Sequence, residues 1–445
     1  MHHSMRFFGF GDALERFLPA EVWKRAHRAH RPKKEPSRWS LTAVVWVLLG
    51  CAWCTGDSLE ERFAASRAVF VACHQHDRRP GETLAGFLTA LDRLPMPVLR
   101  ALAAGVRSQI RALFGSLLRV NGWMVFACDG SRLECPRSAE LQARLGEAGK
   151  PGSAPSVYLS TLVLLPCAML WAWQLGKGTA SELDHLCRML PTLPERSLIV
   201  ADAFYMGYDL FRSITQKPVS ASFLVRLSSR AYLYTDESLP LERFREGLVW
   251  YWPGKARDAG LPPLRMRLLR VRGKKVDVWL LTNVLDRKEL SHKLARQIYR
   301  WRWRNEGLFR LYKRQLNKMK LQSRTVALVH REAEGSLLAL QLLLAMAAQV
   351  SQGEQAEIVM ESPRCVLLRI RGMGELLRRT LGPRQFAHYM RMLEQVRTGE
   401  RPGRKSSKVR QEWPRRSDHK PPKPPKLRVL TEALKTQLQK VLQVA

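Results

Sequence analysis

Acidic side chains are scarce in this sequence: 39 Asp and Glu stand against 74 Lys and Arg, a formal net charge of +35 over 445 residues. So one-sided a charge repels itself and weakens the compact state unless a polyanion screens it. Nucleic acid is the expected partner, because neutralising phosphates releases counterions and supplies sequence-independent affinity. An anionic membrane surface competes for the same charge, but the basic residues are dispersed along the chain. Long hydrophobic runs are also missing. Leu41–Cys54 is apolar but too short to cross a bilayer. Pro151–Gly176 carries no charge, yet Pro166, Gln174 and its Ser and Thr residues make it two buried strands and not a span. Met1–Phe8 has no sustained apolar stretch or small-residue cleavage site, so no secretory signal is expected. Cysteine is sparse, and eight residues without an export signal imply reduced thiols in the cytoplasm.

What the sequence does have is core. At 46% hydrophobic, it holds enough apolar material for two or three domains. Residues 1–115 are expected to be a helical N-terminal domain, with apolar runs at Leu41–Leu49 and Leu84–Leu94 separated by charged turns. From 116 to 350 a catalytic domain is expected. It opens on the strand Trp123–Cys128, which ends in a turn at Asp129-Gly130. The strands Val157–Leu165, Ala168–Leu175 and Ser197–Ala201 follow, with a short helix over Ser181–Leu190 before the last of them. A β-rich insertion spans about 220–285, with strands Phe223–Leu227, Leu248–Trp252, Leu264–Val271 and Val276–Leu281. Long helices are predicted over Lys288–Met319 and Val329–Val350, and residues 351–400 are a C-terminal helical region centred on Gly372–Val396. Residues 401–445 form a tail. Between Arg401 and Arg428 there are 11 basic residues and six Pro against Glu412 and Asp418, a disordered basic arm, before a short amphipathic helix at Leu430–Val444.

Because acids are rare, those at strand ends are informative. Asp129 and Asp202 each close an apolar strand, and if the strands are neighbours both carboxylates emerge at one edge. Two-metal phosphoryl transfer needs such clustered hard oxygen ligands. Asp also ends strands for turn reasons alone. The third element is the segment Ile298–Lys320, where Tyr299, Arg302, Glu306 and Lys313 would fall within roughly 60° of one another on one helix. Glu306 is the only acid between Glu289 and Glu332, set among eleven basic residues from Lys293 to Arg324. That is a poor arrangement for charge pairing at helical spacing and a sensible one for a metal ligand beside phosphates.

Tyr299-x2-Arg302-x3-Glu306-x6-Lys313 resembles the Tyr–Arg–Glu–Lys signature of a large group of bacterial insertion-sequence DDE transposases. Asp129-Gly130-Ser131, Ile199-Val200-Ala201-Asp202 and Leu280-Leu281-Thr282-Asn283 are similar to that group as well, and the likeness covers roughly residues 120–345. Asp202 is followed by Ala203-Phe204, a departure from the residues often found there. The resemblance implies an α/β, RNase H-like mixed sheet flanked by helices, with a β-rich insertion in the 104-residue gap between Asp202 and Glu306. It implies that Asp129, Asp202 and Glu306 bind two Mg²⁺ ions (Mn²⁺ as a substitute) while Tyr299, Arg302 and Lys313 position DNA phosphates. It implies cut-and-paste transposition by water and then a freed 3′-OH. The partners would be double-stranded DNA, as element ends and target, and a second copy of the chain on that DNA. Location would be cytoplasmic, at the nucleoid. In some relatives a flipped base stacks on an aromatic ring of the insertion, a role open to Trp250, Tyr251 or Trp252. Alternatives on the same fold are a catalytically inactive DNA-binding derivative and a nuclease that never joins.

Several features carry less. Cys51-x2-Cys54 and Cys73-x2-His76 have zinc-compatible spacing, but Cys51 and Cys54 end an apolar run where thiols pack well. Cys128 is expected to be packing. Glu182 is either a supporting acid or a helix-start charge, and Glu134 has no assigned role. Pro421–Pro425 could dock an aromatic groove.

Overall fold

The computed structural model describes residues 14–28, 38–74, 78–147, 152–216, 218–236, 241, 243–273, 277–351, 356–377, 384 and 424–444. Its strands are β1 (Met124–Glu134), β2 (Ser156–Leu164), β3 (Met169–Lys177), β4 (Ser197–Ala201), β5 (Ser222–Arg226), β6 (Tyr232–Thr235), β7 (Glu246–Tyr251), β8 (Leu264–Val271), β9 (Val278–Thr282), β10 (Ala348–Val350), β11 (Ile358–Met360) and β12 (Lys426–Val429). With the helices around them they make a mixed α/β protein. The chain divides into two compact units, the first made of 1–118, 130–181 and 305–404, the second of 119–129, 182–304 and 405–445.

In the first unit the apolar helix Val326–Ala347 is the core element, buried along almost its whole length from Val329 onward. It packs on the helices Leu41–Trp53 and Met96–Phe114 and on β3. Gly335 makes that approach possible, since a Cβ there would overlap the Leu48 side chain. Gly335→Ala is therefore expected to cost about 1–3 kcal/mol by overpacking, read as a lower urea midpoint with an unchanged m value. Two polar side chains buried by this packing donate to backbone carbonyls, although Gln341 Oε1 has no hydrogen-bond partner. Trp53 Nε1 donates to the Ala339 carbonyl at 3.1 Å, and Gln341 Nε2 donates to the Leu170 carbonyl of β3 at 3.2 Å. β2 and β3 form the expected antiparallel hairpin, which reverses through a turn where Ala168 takes a φ of 50°. No described helix is long and apolar enough to cross a membrane.

The second unit is a sheet in the order β12-β6-β7-β8-β9-β5-β4-β1. β1, β4 and β5 run parallel, and β5, β9, β8, β7 and β6 alternate antiparallel. β4 reads Ser-Leu-Ile-Val-Ala and is buried at every residue, the pattern of a parallel strand covered on both faces. The helix Tyr208–Thr215 supplies part of that cover, with Phe211 stacked on Phe223 of β5 at 4.1 Å.

Four expectations need correction. β1 does not turn at Asp129-Gly130 but continues to Glu134, because Gly130 stays out of the left-handed region and Leu133 is buried. The helix predicted over Lys288–Met319 is broken: His292–Trp301 and Arg304–Arg310 are separate helices, and Leu311–Gln315 is a π turn. At the break the Trp303 N–H bonds to the Arg300 carbonyl, three residues back, which tightens the turn. At the π turn the Leu316 N–H reaches back five residues to Leu311. Lys426–Val429 overlaps the end of the stretch read as disordered, yet it pairs in parallel with β6 and covers that edge strand. The rest of the tail before residue 424 and most of 378–396 lie outside the described residues. Finally, Tyr251 and Trp252 belong to the core, with Trp252 Nε1 donating to the Leu261 carbonyl at 2.9 Å, so of the three insertion aromatics only Trp250 is half-exposed.

Candidate active site

In the second unit the two aspartates come together through strand register. β1 and β4 pair Met124 with Ser197 and continue to Ala127 with Val200. Carried forward two residues, this register sets Asp129 opposite Asp202. Both side chains are half-buried. Asp202 caps a short 3₁₀ turn, its carboxylate accepting from the Phe204 N–H at 2.8 Å. Beneath the pair lies a buried neutral couple, the Cys128 thiol donating to the Tyr205 hydroxyl at 3.3 Å. Burial pushes the Cys128 thiol up, and the carboxylates of Glu182, Asp129 and Asp202 push it further, against the opposing hydrogen bond to Tyr205. Tyr205 is raised well above an ordinary phenol, first by burial and then by Cys128, Glu182 and Asp129. The negative field here is the setting in which a hard cation is favoured, and oxygen ligands from neighbouring parallel strands fit Mg²⁺.

Tyr299 and Arg302 belong to the same unit. The Arg302 guanidinium lies 5.8 Å from the Tyr299 ring centroid and 5.0 Å from that of Trp303. Its Nε is buried without a hydrogen-bond partner. Burial raises the Tyr299 hydroxyl above its ordinary value; Arg302 and Arg226 oppose that shift, and Asp202 adds to it. Asp202 is thus within electrostatic reach of the Tyr–Arg part of the signature.

Glu306 and Lys313 fall in the first unit. Glu306 is exposed in the first turn of Arg304–Arg310. Lys313 sits in the π turn and donates from Nζ to Ser131 Oγ at 2.7 Å, and burial lowers its pKa. The chain after the π turn is fastened to the end of β1, with Glu134 N–H on the Met319 carbonyl at 3.2 Å and Leu321 N–H on the Glu134 carbonyl at 2.8 Å. Asn317 takes a φ of 51°, which its short polar side chain tolerates, and so permits the reversal. Glu134 therefore has a structural role that the sequence left blank, and its carboxylate also pairs with Lys320 at 3.4 Å. Nothing in the sequence pattern marked Ser131 as the partner of Lys313.

Among the described residues no group of three or more His, Cys, Asp and Glu is gathered closely enough to hold a metal ion. The Cys51-x2-Cys54 spacing is included in that result. Cys51 is buried, its thiol pushed up to about 12 chiefly by burial, and neither Cys54 nor Cys73 is in a disulfide. His76 lies outside the described residues.

Residues 125–342 match the family described as Transposase DDE domain. No curated protein matches the chain. Among solved structures, the chain is similar to piggyBac transposase in a cryo-EM synaptic complex with hairpin DNA, at 12% identity and a TM-score of 0.41. That likeness covers 90% of this chain and 87% of the other.

Proposed function

We propose, from the match of residues 125–342 to the Transposase DDE domain family, that the chain is a DNA transposase of the Tyr–Arg–Glu–Lys insertion-sequence type. It would cut and rejoin phosphodiester bonds with two divalent ions held by Asp129, Asp202 and Glu306. The observation that supports this reading is the parallel β1–β4 register, which pairs Ala127 with Val200 and so leads both strands toward Asp129 and Asp202 two residues on. An RNase H-like core is supported by the parallel β1, β4 and β5 and by the β2–β3 hairpin that follows β1 in the chain. The strands β5 to β9 fill the interval between the second aspartate and Glu306.

The residues divide the work by chemistry. When bound, the ions activate the attacking oxygen and stabilise the leaving one. Arg302, held between two aromatic rings, presents a planar fork to a phosphate of the element end. Tyr299, kept protonated by burial, donates from its hydroxyl. Lys313 supplies a point charge, and Ser131 orients its ammonium. The excess of basic residues supplies sequence-independent grip on element ends and target, with two copies assembling on the DNA.

The test is a strand-transfer assay with Mg²⁺ and DNA bearing the inverted repeats that flank the gene. Joined product is expected from the wild type, and none from Glu306→Ala. Cleavage without joining would make the protein a nuclease, binding without cleavage an inactive derivative. Full cleavage by Glu306→Ala would remove Glu306 from the ligand set.

A further inference from the structure

In the second unit the loop that leads into the helix His292–Trp301 is gripped more firmly than the helix itself. Ala295 and Ile298 are the buried residues of that helix, so packing gives it a narrow hold. Its position is set largely from its N-terminal end, and β8 supplies two of the bonds there. Arg267 of β8 donates from Nη2 to the carbonyl of Leu290, the residue before the Ser291 cap. His292 donates from Nε2 to the Arg270 carbonyl at 2.9 Å. A third tie runs from Arg287 to Glu246, the first residue of β7. From the other side Asn121 and Trp123 both donate to the Glu289 carbonyl, at 2.8 and 3.3 Å. The loop is thus clasped between the β-rich insertion and the turn that opens β1.

Arg267 is a costly residue to place in this clasp. It is 2% exposed, and its Nε and Nη1 are buried without a hydrogen-bond partner, as is Glu246 Oε2. Burial lowers its pKa, and Glu246 opposes that shift. An apolar side chain would fill the place with less penalty, because an idle buried donor loses its hydration and gains nothing. What no apolar side chain can do is hold the Leu290 carbonyl.

We propose that Arg267 is a positioning residue for Tyr299 and Arg302. By holding Leu290 it fixes where the helix starts, and so where the far end, capped by Arg302, presents its guanidinium to a DNA phosphate. His292 assists from the same strand. The inference rests on the transposase reading for that phosphate, and it makes the insertion a support for the signature helix. Arg267 is itself buried and meets no phosphate.

Two measurements on the full chain in EDTA, where nothing is cleaved, test the proposal. Hydrogen exchange is followed over His292–Trp301 without DNA, and affinity is titrated for DNA bearing the inverted repeat that flanks the gene. In Arg267→Met the helix amides should exchange about tenfold faster while those of Ser197–Ala201 stay protected. Arg302→Ala should bind the DNA about tenfold more weakly than wild type, with the salt slope lowered by about one. Arg267→Met should weaken binding in the same way and add nothing further in the Arg302→Ala background. His292→Ala should act in the same direction with a smaller effect, and it takes the place of Arg267→Met in both measurements if that variant does not fold. Unchanged exchange in the helix would overturn the proposal, and so would losses of affinity that multiply in the double variant. Either result leaves the transposase reading standing, because Arg302→Ala alone still weakens binding. Wild-type affinity in Arg302→Ala would instead remove the phosphate contact of Arg302 from that reading, and this proposal with it.

Discussion

Asp129→Asn and Asp202→Asn are each expected to lower Mg²⁺-dependent cleavage of element-end DNA by about a thousandfold, equivalent to roughly 4 kcal/mol of transition-state stabilisation. Both residues stand on the β1–β4 register, and each exchange keeps the side chain's shape while removing the charge that a cation requires. Affinity for DNA should hold or rise, because the proposed phosphate contacts are those of Arg302, Lys313 and the basic surface, and one repelling charge is gone. The measurement is single-turnover cleavage beside a filter-binding titration of the same preparations. Retention of more than a tenth of the wild-type rate in both variants would place the chemistry elsewhere.

The second large effect concerns the first unit. Lys318 and Glu332 form a buried ion pair at 2.9 Å, the two side chains 2% and 5% exposed. Glu332 also accepts the N–H groups of Gln322 and Ser323 at 3.0 and 2.9 Å. Burial alone pushes this carboxyl up, but Lys318 and the two backbone donors outweigh it, and its pKa falls below the ordinary carboxylate value. These bonds anchor the chain that runs from the π turn to the helix Val326–Ala347. Lys318→Met leaves a charged carboxylate in the core and is expected to cost about 3–5 kcal/mol. The sign with pH follows from linkage. In the wild type the folded pKa is depressed, so the stabilisation is complete above the unfolded value and fades as pH falls through the folded one. In Lys318→Met burial is opposed only by the two backbone donors, so the folded pKa rises, and protonation then favours the folded form. Urea denaturation at pH 7 and pH 5 should therefore show a smaller gap between the two proteins at pH 5. A gap that is equal or wider at pH 5 would contradict the assignment of charge.

The sequence made some parts of this molecule easy to see. Leu198–Ala201 is a pure apolar run after Ser197, and the strand falls on Ser197–Ala201, delivering Asp202 at its end. The hairpin β2–β3 was legible because an uncharged stretch too polar for a membrane has little choice but buried sheet. What stayed hidden was set by contacts remote in sequence. The break at Arg302–Trp303 involves neither Pro nor Gly, and the π turn buries Tyr312 against Ser336 of a later helix, the hydroxyls 2.8 Å apart. A projection at 100° per residue could not foresee either, so the single face drawn through Tyr299, Arg302, Glu306 and Lys313 does not survive as one helix. β12 was lost inside a basic, Pro-rich composition that says nothing of its pairing with β6. Adjacency of Asp129 and Asp202 was conditional on strand order, which apolar periodicity does not encode; the structure pairs β1 with β4 as far as Ala127 and Val200, two residues before the aspartates.

The central claim is that Asp129 and Asp202 share a divalent ion, and Mn²⁺ binding followed by electron paramagnetic resonance tests it without any DNA or turnover. Wild-type protein should remove free Mn²⁺ signal at a saturable site, Mg²⁺ should compete for that site, and either single Asn substitution should abolish it. A saturable Mn²⁺ site that both variants retain at wild-type affinity would contradict the account.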